Sequence, residues 1–506
     1  MSAIVAAYGT FNDEIGHRML ERMAHRGPDG MGSHAVGQAW LGTQHLAIVD
    51  PEAADLPLMG GSPDIWLVGD GEIYNHRRIR EELGADRFST GSDLEAALHL
   101  YEDHGVAAFE RLWGTFALAV ASADGRFAVA RDVLGIAPLY WARRDDTVLF
   151  ASELKAFDDD WRDLVEPFPP GHAWTPEDGL IAGPAFPGSG PVLLKSVAPQ
   201  DDPPAWVFDA VRDSLVRAVE RSLEAAHPIG VLLSGGVDSS IVAAIAAKVC
   251  ADRGERLPTF SVGLAGSSDL AAAKKVADHI GSDHHELVYT AEDAIDLVPQ
   301  IIAELESFDP KLVHSAVAHH MVAALAAKHV KVVLAGEGAD ELFAGYSHFG
   351  QYDDGDELHS ELLTTLEELH IGGIQRVDRI AGAQGIEPRV PFLDMDVVEL
   401  AMALPPEWKL IEDDRPAKWL LRRAFDGWLP DEVLWRRKEQ FGEGTGMNDI
   451  LSEHFNALIG DEELQRDASL LDPPLRTGEE LAYFRIFTES LPGIDAQRTV
   501  GRSPGA

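Results

Sequence analysis

The first residues after the start, Ala3-Ile4-Val5-Ala6-Ala7-Tyr8, are apolar without a break, which predicts a strand buried on both faces. Short runs at Ala39–Leu41, Ile65–Val68, Phe116–Ala121 and Phe127–Ala130 predict further strands, separated by turn residues such as Ala123-Asp124-Gly125. Helical periodicity is confined here to Asp13–Ala24 and Asp93–His104. This mixture predicts a layered α+β domain over 1–190. A Pro-, Gly- and Asp-rich stretch within Gly183–Pro204 marks a linker, set at 191–205. Beyond it the period changes. A helix over Val207–Ala225 precedes a strand (Gly230–Leu233), a helix (Ser239–Val249), a strand (Thr259–Gly263), a helix (Ala271–Ile280) and a strand (Val330–Leu334). Alternating strand and helix predicts a parallel α/β sheet in a second domain over 206–506, mostly helical after Leu358, with Gln497–Ala506 frayed.

Charge adds one constraint. Asp and Glu number 84 against 42 Lys and Arg, a formal charge of −42 spread along the chain. Such a surface repels nucleic acid and suits a salt-rich, halophilic interior. No apolar run reaches about 18 residues, which argues against a membrane span. No leader pattern precedes the first strand, so a cytoplasmic enzyme is expected. The single cysteine, Cys250, lies on an alanine-rich helix and reads as core packing. One cysteine excludes intrachain disulfides and multi-cysteine zinc sites. The pair His284-His285 sits in the strand GSDHHELVY and reads as structural, His319-His320 on a helix lacks HExxH spacing, and no zinc is expected.

Two stretches carry chemistry. In IGVLLSGGVDSS an apolar strand ends in Ser234-Gly235-Gly236 and a helix begins at Asp238-Ser239-Ser240. Glycines admit an anion to the backbone, and the helix start offers N–H groups with a favourable dipole. No lysine follows the glycines as in a GxxxxGK[ST] loop; Asp238 holds that region, and a carboxylate beside phosphates calls for Mg²⁺ between them. In VVLAGEGADELFAGY, Glu337, Asp340 and Glu341 follow a second apolar strand. Acids at the carboxyl end of a parallel strand face the ligand crevice, where one can hold metal and another act as a base.

Together these stretches resemble the ATP-pyrophosphatase loop family, specifically the glutamine-hydrolysing (class B) asparagine synthetase family. SGGVDSS, SVGLAGSSDLAAAKKVADHIGSDHHE, GEGADELFAGY, EPRVPFLD and RRKEQF stand in that family's order, after HRGPDG, GEIYNH, GTFALA, RDVLGIAPLYW and SELKAF. The resemblance covers roughly 1–450. It implies an N-terminal nucleophile hydrolase-like (glutaminase type) domain followed by an adenine nucleotide α-hydrolase-like ATP-pyrophosphatase domain. It also implies a ligase that adenylates a carboxylate, releases pyrophosphate and passes the acyl group to an amine, with ATP and Mg²⁺ as cofactors and a homodimer as a possible assembly. By matched position, Leu232, Val262 and Gly336 would hold adenosine, and Ser234, Gly235, Gly236, Asp238, Ser239 and Ser240 would grip pyrophosphate. Asp238 and Asp340 would bind Mg²⁺. Glu337 would receive the amine and Lys438 would neutralise phosphate charge, with Lys418 a weaker candidate.

The chain departs from the pattern twice. The family starts Met-Cys-Gly, with the cysteine as glutaminase nucleophile; here Ser2 takes that place. His45 stands for the family's glutamine-binding Arg, and Asp70, before Gly71, stands for its oxyanion Asn, whereas Asp93 is retained. A hydroxyl is the weaker nucleophile, and a carboxylate opposes an oxyanion. The glutaminase activity is therefore expected to be lost. In ESFDPKLVHSA, Lys311, Leu312 and His314 replace the family's two Thr and its Arg, so Asp309, Lys311 and His314 are the candidates for a changed acceptor pocket. The expected function is an amide-forming ligase that aminates a small carboxylic acid, aspartate first, with ammonia or another amine. A β-lactam-synthetase-like ligase on a different acid, a non-catalytic nucleotide-binding subunit and a hydrolase using Ser2 are the alternatives.

Overall fold

The computed structural model describes residues 2–50, 56–61, 64–189, 202–225, 227–436 and 447–503. Its first half stacks two six-stranded antiparallel sheets. One holds β1 (Ala3–Tyr8), β2 (Gly30–Val36), β3 (Ala39–His45), β8 (Tyr140–Arg144), β9 (Thr147–Ala151) and β10 (Glu166–Pro167) in the order β10-β8-β9-β1-β3-β2. The other holds β4 (Leu58–Met59), β5 (Ile65–Ile73), β6 (Gly114–Ser122), β7 (Phe127–Arg131), β11 (His172–Thr175) and β12 (Gly179–Ala182) in the order β12-β11-β7-β6-β5-β4.

The unbroken apolar run of β1 now has its cause. Ile4 and Ala6 meet Ala117, Ala119 and Phe127 across the sheet interface, while Ala3, Val5 and Ala7 face Met19 and Leu20 of the helix Asp13–Glu21. The helix Asp93–His104 covers the outer face of the other sheet through Ala96, Ala97, Leu100 and Tyr101. The result is helix, sheet, sheet, helix, with every face of a central strand dry.

The second half is built on five parallel strands: β13 (Ile229–Leu232), β14 (Pro258–Leu264), β15 (Asp283–Tyr289), β16 (Val332–Leu334) and β17 (Glu387–Arg389). Their order is β15-β14-β13-β16-β17. The chain winds outward from β13 on one side, then returns to its other side with β16. The carboxyl ends of β13 and β16 therefore border the switch-point crevice where open α/β sheets bind ligands. His284 on β15 is held by Thr259 and Ser261 hydroxyls, at 2.9 and 3.2 Å. Cys250 is buried in the same core as Val231 and Ile241.

Buried charge joins the halves. Arg26, fully buried, donates to Asp378 of the helix Gly373–Ala383 at 2.8 and 3.0 Å, to Glu153 at 3.2 Å and to Asp70 at 2.9 Å. Glu306 accepts from the backbone N–H groups of Leu154 and Lys155 at 2.9 and 2.8 Å. Each charge has hydrogen-bonded partners, the condition under which burial is tolerated.

Two sequence expectations shift. The helix after the glycine loop runs Val237–Asp252, not from Ser239, because extended Gly236 caps it and Asp238 and Ser239 fall in its first turn. The end of the chain is not frayed through 503. Ala496–Thr499 forms a helix turn capped by Asp495, and side chains tether Arg502 and Ser503. Residues 190–201, most of the expected linker, lie outside the described residues, as do 504–506.

Candidate functional site

A crevice of about 610 Å³ opens at the switch point. Leu232, Ser234, Gly236, Asp238 and Ser239 line it from β13 and its loop, Val262 from β14, and Gly336, Glu337 and Asp340 from the turn after β16. The loop is organised from within. Ser234 and Ser239 hydroxyls lie 2.9 Å apart, and the Gly236 N–H donates to Ser234 Oγ at 3.3 Å. Gly235 has φ 78°, and a Cβ there would come within 2.6 Å of the Ala273 nitrogen, so only glycine lets the loop lie against the next helix. Gly336 is held to glycine by the opposite wall, since its Cβ would stand 3.0 Å from Asp238 Cβ and from the Ser239 nitrogen. The two sequence stretches thus touch.

Their acids converge on a lysine. Lys418 Nζ lies 2.5 Å from Asp238 and 2.8 Å from Asp340, with its side chain 1% exposed. The position ranked second in the sequence is therefore the one at the centre of the crevice. Burial lowers Lys418's affinity for its proton, and the two carboxylates more than restore it, leaving its pKa raised. Asp238 Oδ1 is buried and lacks a hydrogen-bond partner. A hard cation would satisfy it, and a pair of carboxylates suits Mg²⁺, which completes its shell with water and phosphate oxygens.

Three further cations line the crevice without having been read from the sequence: Arg376, Arg422 and Arg436. Arg376 donates to Glu337 at 2.7 Å, and burial lowers Arg422, offset in part by Asp238 and Asp340. Arg376 and Arg422 lie on helices outside any motif and only the fold gathers them, whereas Arg436 opens the RRKEQF stretch. Lys438 lies outside the described residues.

The remaining candidates divide. Ser240 is fully buried and does not line the crevice, because on the helix it points to the core one residue beyond the loop face. Lys311 and His314 line the crevice, with Ser315, on the helix Pro310–Ala326. His314 Nε2 is 2.5 Å from Glu479. Asp309 does not line it. Its carboxylate caps that helix, accepting from the Leu312 N–H at 3.2 Å and from the Ser503 N–H and hydroxyl at 2.7 and 3.0 Å.

In the first half, Ser2, His45 and Asp70 come together. Ser2 Oγ is 3.4 Å from His45 Nδ1, and burial lowers the His45 pKa. The Ser2 N–H donates to Asp70 Oδ1 at 2.6 Å while Arg26 takes Asp70 Oδ2 at 2.9 Å. Burial pushes Asp70 up and Arg26 draws it back, with a net rise. Gly71, at φ 108°, would place a Cβ 1.9 Å from the Thr115 oxygen. Asp93 accepts the Ile73 N–H at 2.6 Å.

Glu341, beside Asp340, gives a stability prediction. Burial, then the Asp340 charge, lifts it to about 7, although the Tyr346 hydroxyl donates to it at 2.5 Å. A carboxyl raised in the folded state costs nothing below its ordinary 4.5 and progressively destabilises as pH climbs through about 7. Glu341→Gln is expected to gain on the parent as pH rises from 5 to 8, by up to about 3 kcal/mol. Urea unfolding at several pH values checks this, and a gap that narrows with pH contradicts it.

Comparison with known proteins bears on both halves. Residues 210–355 and 350–477 match the Asparagine synthase family, and residues 1–165 match the Glutamine amidotransferase domain. Asparagine synthetase [glutamine-hydrolyzing] 3 of Arabidopsis thaliana is 38% identical, covering all of this chain and 90% of the relative. Asparagine synthetase [glutamine-hydrolyzing] 2 of Oryza sativa subsp. japonica is 36% identical over all of this chain and 88% of its own. That of Sandersonia aurantiaca is 37% identical over 98% of this chain and 97% of its own. With an N-terminal nucleophile hydrolase-like domain before an ATP-pyrophosphatase domain, and with relatives matched along its whole length, this chain belongs to the asparagine synthetase family.

Proposed function

We propose that the chain is an ATP-dependent carbon–nitrogen ligase that activates a small carboxylic acid, aspartate first, and aminates it with ammonia or another amine. The observation that carries this reading is the meeting of the glycine loop after β13 with the acidic turn after β16, bridged by Lys418 between Asp238 and Asp340. In this reading the acid's carboxylate oxygen attacks the α-phosphorus of ATP and pyrophosphate leaves. The amine then attacks the acyl carbon, and AMP leaves with the bonding electron pair.

The first step brings like charges together, and the chain's own groups oppose that repulsion. The N–H groups of the loop and the hydroxyls of Ser234 and Ser239 receive the leaving pyrophosphate. Lys418 stands where charge builds. Asp238 and Asp340 would hold Mg²⁺, which when bound supplies neutralisation of the triphosphate. Glu337 takes the proton that the attacking amine sheds, and Arg376, bonded to it, keeps it oriented. Lys311 and His314, in place of the family's Thr and Arg, favour an acid that differs from aspartate as the runner-up. In this reading the enzyme works in the cytoplasm of a salt-rich cell.

The test is pyrophosphate and AMP release by purified protein in high salt with ATP, Mg²⁺, ammonium and a panel of amino acids and other small acids. Stoichiometric pyrophosphate, AMP and amide with one acid supports the reading. A panel in which no acid releases pyrophosphate above the acid-free control sinks it.

A further inference from the structure

The acceptor end of the crevice is walled by a segment far away in sequence. Ser503 lines it together with Lys311, Ser315 and Asn448. The segment is held from both sides. Its Ser503 N–H and hydroxyl both reach Asp309, and Arg476 donates to the Ser503 carbonyl at 2.7 Å. Arg502 donates to Glu480 at 2.9 and 2.7 Å and also reaches the carbonyls of Pro473 and Pro474. Glu480 is 1% exposed, and Val500 packs against the core.

These bonds converge on the first turn of the helix Pro310–Ala326. Asp309 is 1% exposed, and its carboxylate receives three donors, two of which belong to Ser503. Glu479, next to the glutamate that anchors Arg502, holds His314 at 2.5 Å. The segment and its anchoring helix Gly478–Ser490 therefore both tie that first turn, the one at Asp309 and the other at His314.

We infer that residues 500–503 are a clasp that forms part of the acceptor pocket, with Asp309 and Arg502 as positioning residues that fix Lys311 and His314 for recognition of the acid. The inference rests on the acceptor reading of 311–314 given above. A buried carboxylate stripped of two of three donors reorients or draws in water, so loss of the clasp displaces the turn that bears both side chains. The nucleotide half of the crevice, built on β13, β14 and the turn after β16, shares no bond with the clasp among the described residues.

The experiment compares the full chain with a chain ending at Val500 and with Arg502→Gln and Asp309→Asn. KM for the acid is expected to rise about tenfold on truncation and about threefold for each substitution, while KM for ATP stays within about twofold. An acid KM unmoved in all three, or acid and ATP KM rising together, overturns the inference. Hydrogen–deuterium exchange across 307–316 is the second measurement. The Leu312 and His314 amides are expected to exchange about tenfold faster without the clasp, and unchanged exchange overturns it. If no acid is turned over by the full chain, the ligase reading fails at that point and the exchange arm alone judges the clasp.

Discussion

Lys418→Ala is expected to lower pyrophosphate release by about a thousandfold or more while leaving the fold intact. The lysine is the hub of the crevice, between Asp238 at 2.5 Å and Asp340 at 2.8 Å. Both carboxylates raise its pKa above the ordinary 10.5 against the opposing pull of burial. Its charge, and the stability of the pair, is therefore fully present below 10.5 and is lost only as pH rises through the higher folded value. Lys418 also sits at φ 62°, a left-handed conformation that costs a side-chain-bearing residue about 1 kcal/mol. That strain persists where the surroundings fix it, at the head of the helix Trp419–Ala424. Without the ammonium, Asp238 and Asp340 face the triphosphate with one fewer cation. Lys418→Arg is not expected to rescue, because Gly345 closes the space: even a Cβ there would stand 2.2 Å from Lys418 Cε. Asp238→Ala is expected to lose activity to the same degree, since it removes the carboxylate that both the lysine and Mg²⁺ would use. Pyrophosphate release, beside thermal unfolding to confirm the fold, measures all three. A Lys418→Ala protein that keeps more than about a tenth of the rate shows the lysine to be structural.

The sequence disclosed what depends on local pattern. The strand Ala3–Tyr8 was legible because burial on both faces removes polar positions, and SGGVDSS because an anion loop needs glycine at fixed places. Element ends moved by a few residues where a cap decided them, as Gly236 did for Val237–Asp252. What stayed hidden was tertiary. Lys418 entered only as a weaker candidate by matched position, and nothing local reveals that residues 180 apart meet at 2.5 Å. Arg376 and Arg422 are invisible for the same reason. Asp309 was legible as special but for the wrong role: in Phe308-Asp309-Pro310 an Asp before Pro is also a helix start, and the structure uses it as one. The apparent fraying after Gln497 came from composition alone, which cannot register that Glu480 and Asp309 wait for Arg502 and Ser503.

Glutamine is expected to support AMP formation at no more than about a hundredth of the ammonium rate, and Ser2→Cys alone is expected to leave that ratio unchanged. The thiol would repair only the nucleophile. Asp70 still stands where an oxyanion donor is needed, and both its oxygens are committed, one to the Ser2 N–H and one to Arg26. An oxyanion-hole donor is worth about 10² to 10³ in rate, so an acceptor in its place is the larger defect. His45, lowered by burial, lacks the charge that would hold a substrate carboxylate near neutrality. Asp70→Asn returns a donor, and Arg26 keeps Asp378 and Glu153 as partners. Glutamate release is accordingly expected only when Ser2→Cys, His45→Arg and Asp70→Asn are combined, because each missing function blocks the same step. Coupled measurement of glutamate from glutamine, with and without ATP, decides it. Glutamate release by the parent chain, or by Ser2→Cys alone, would show that the first domain still hydrolyses glutamine and that Asp70 is not the block.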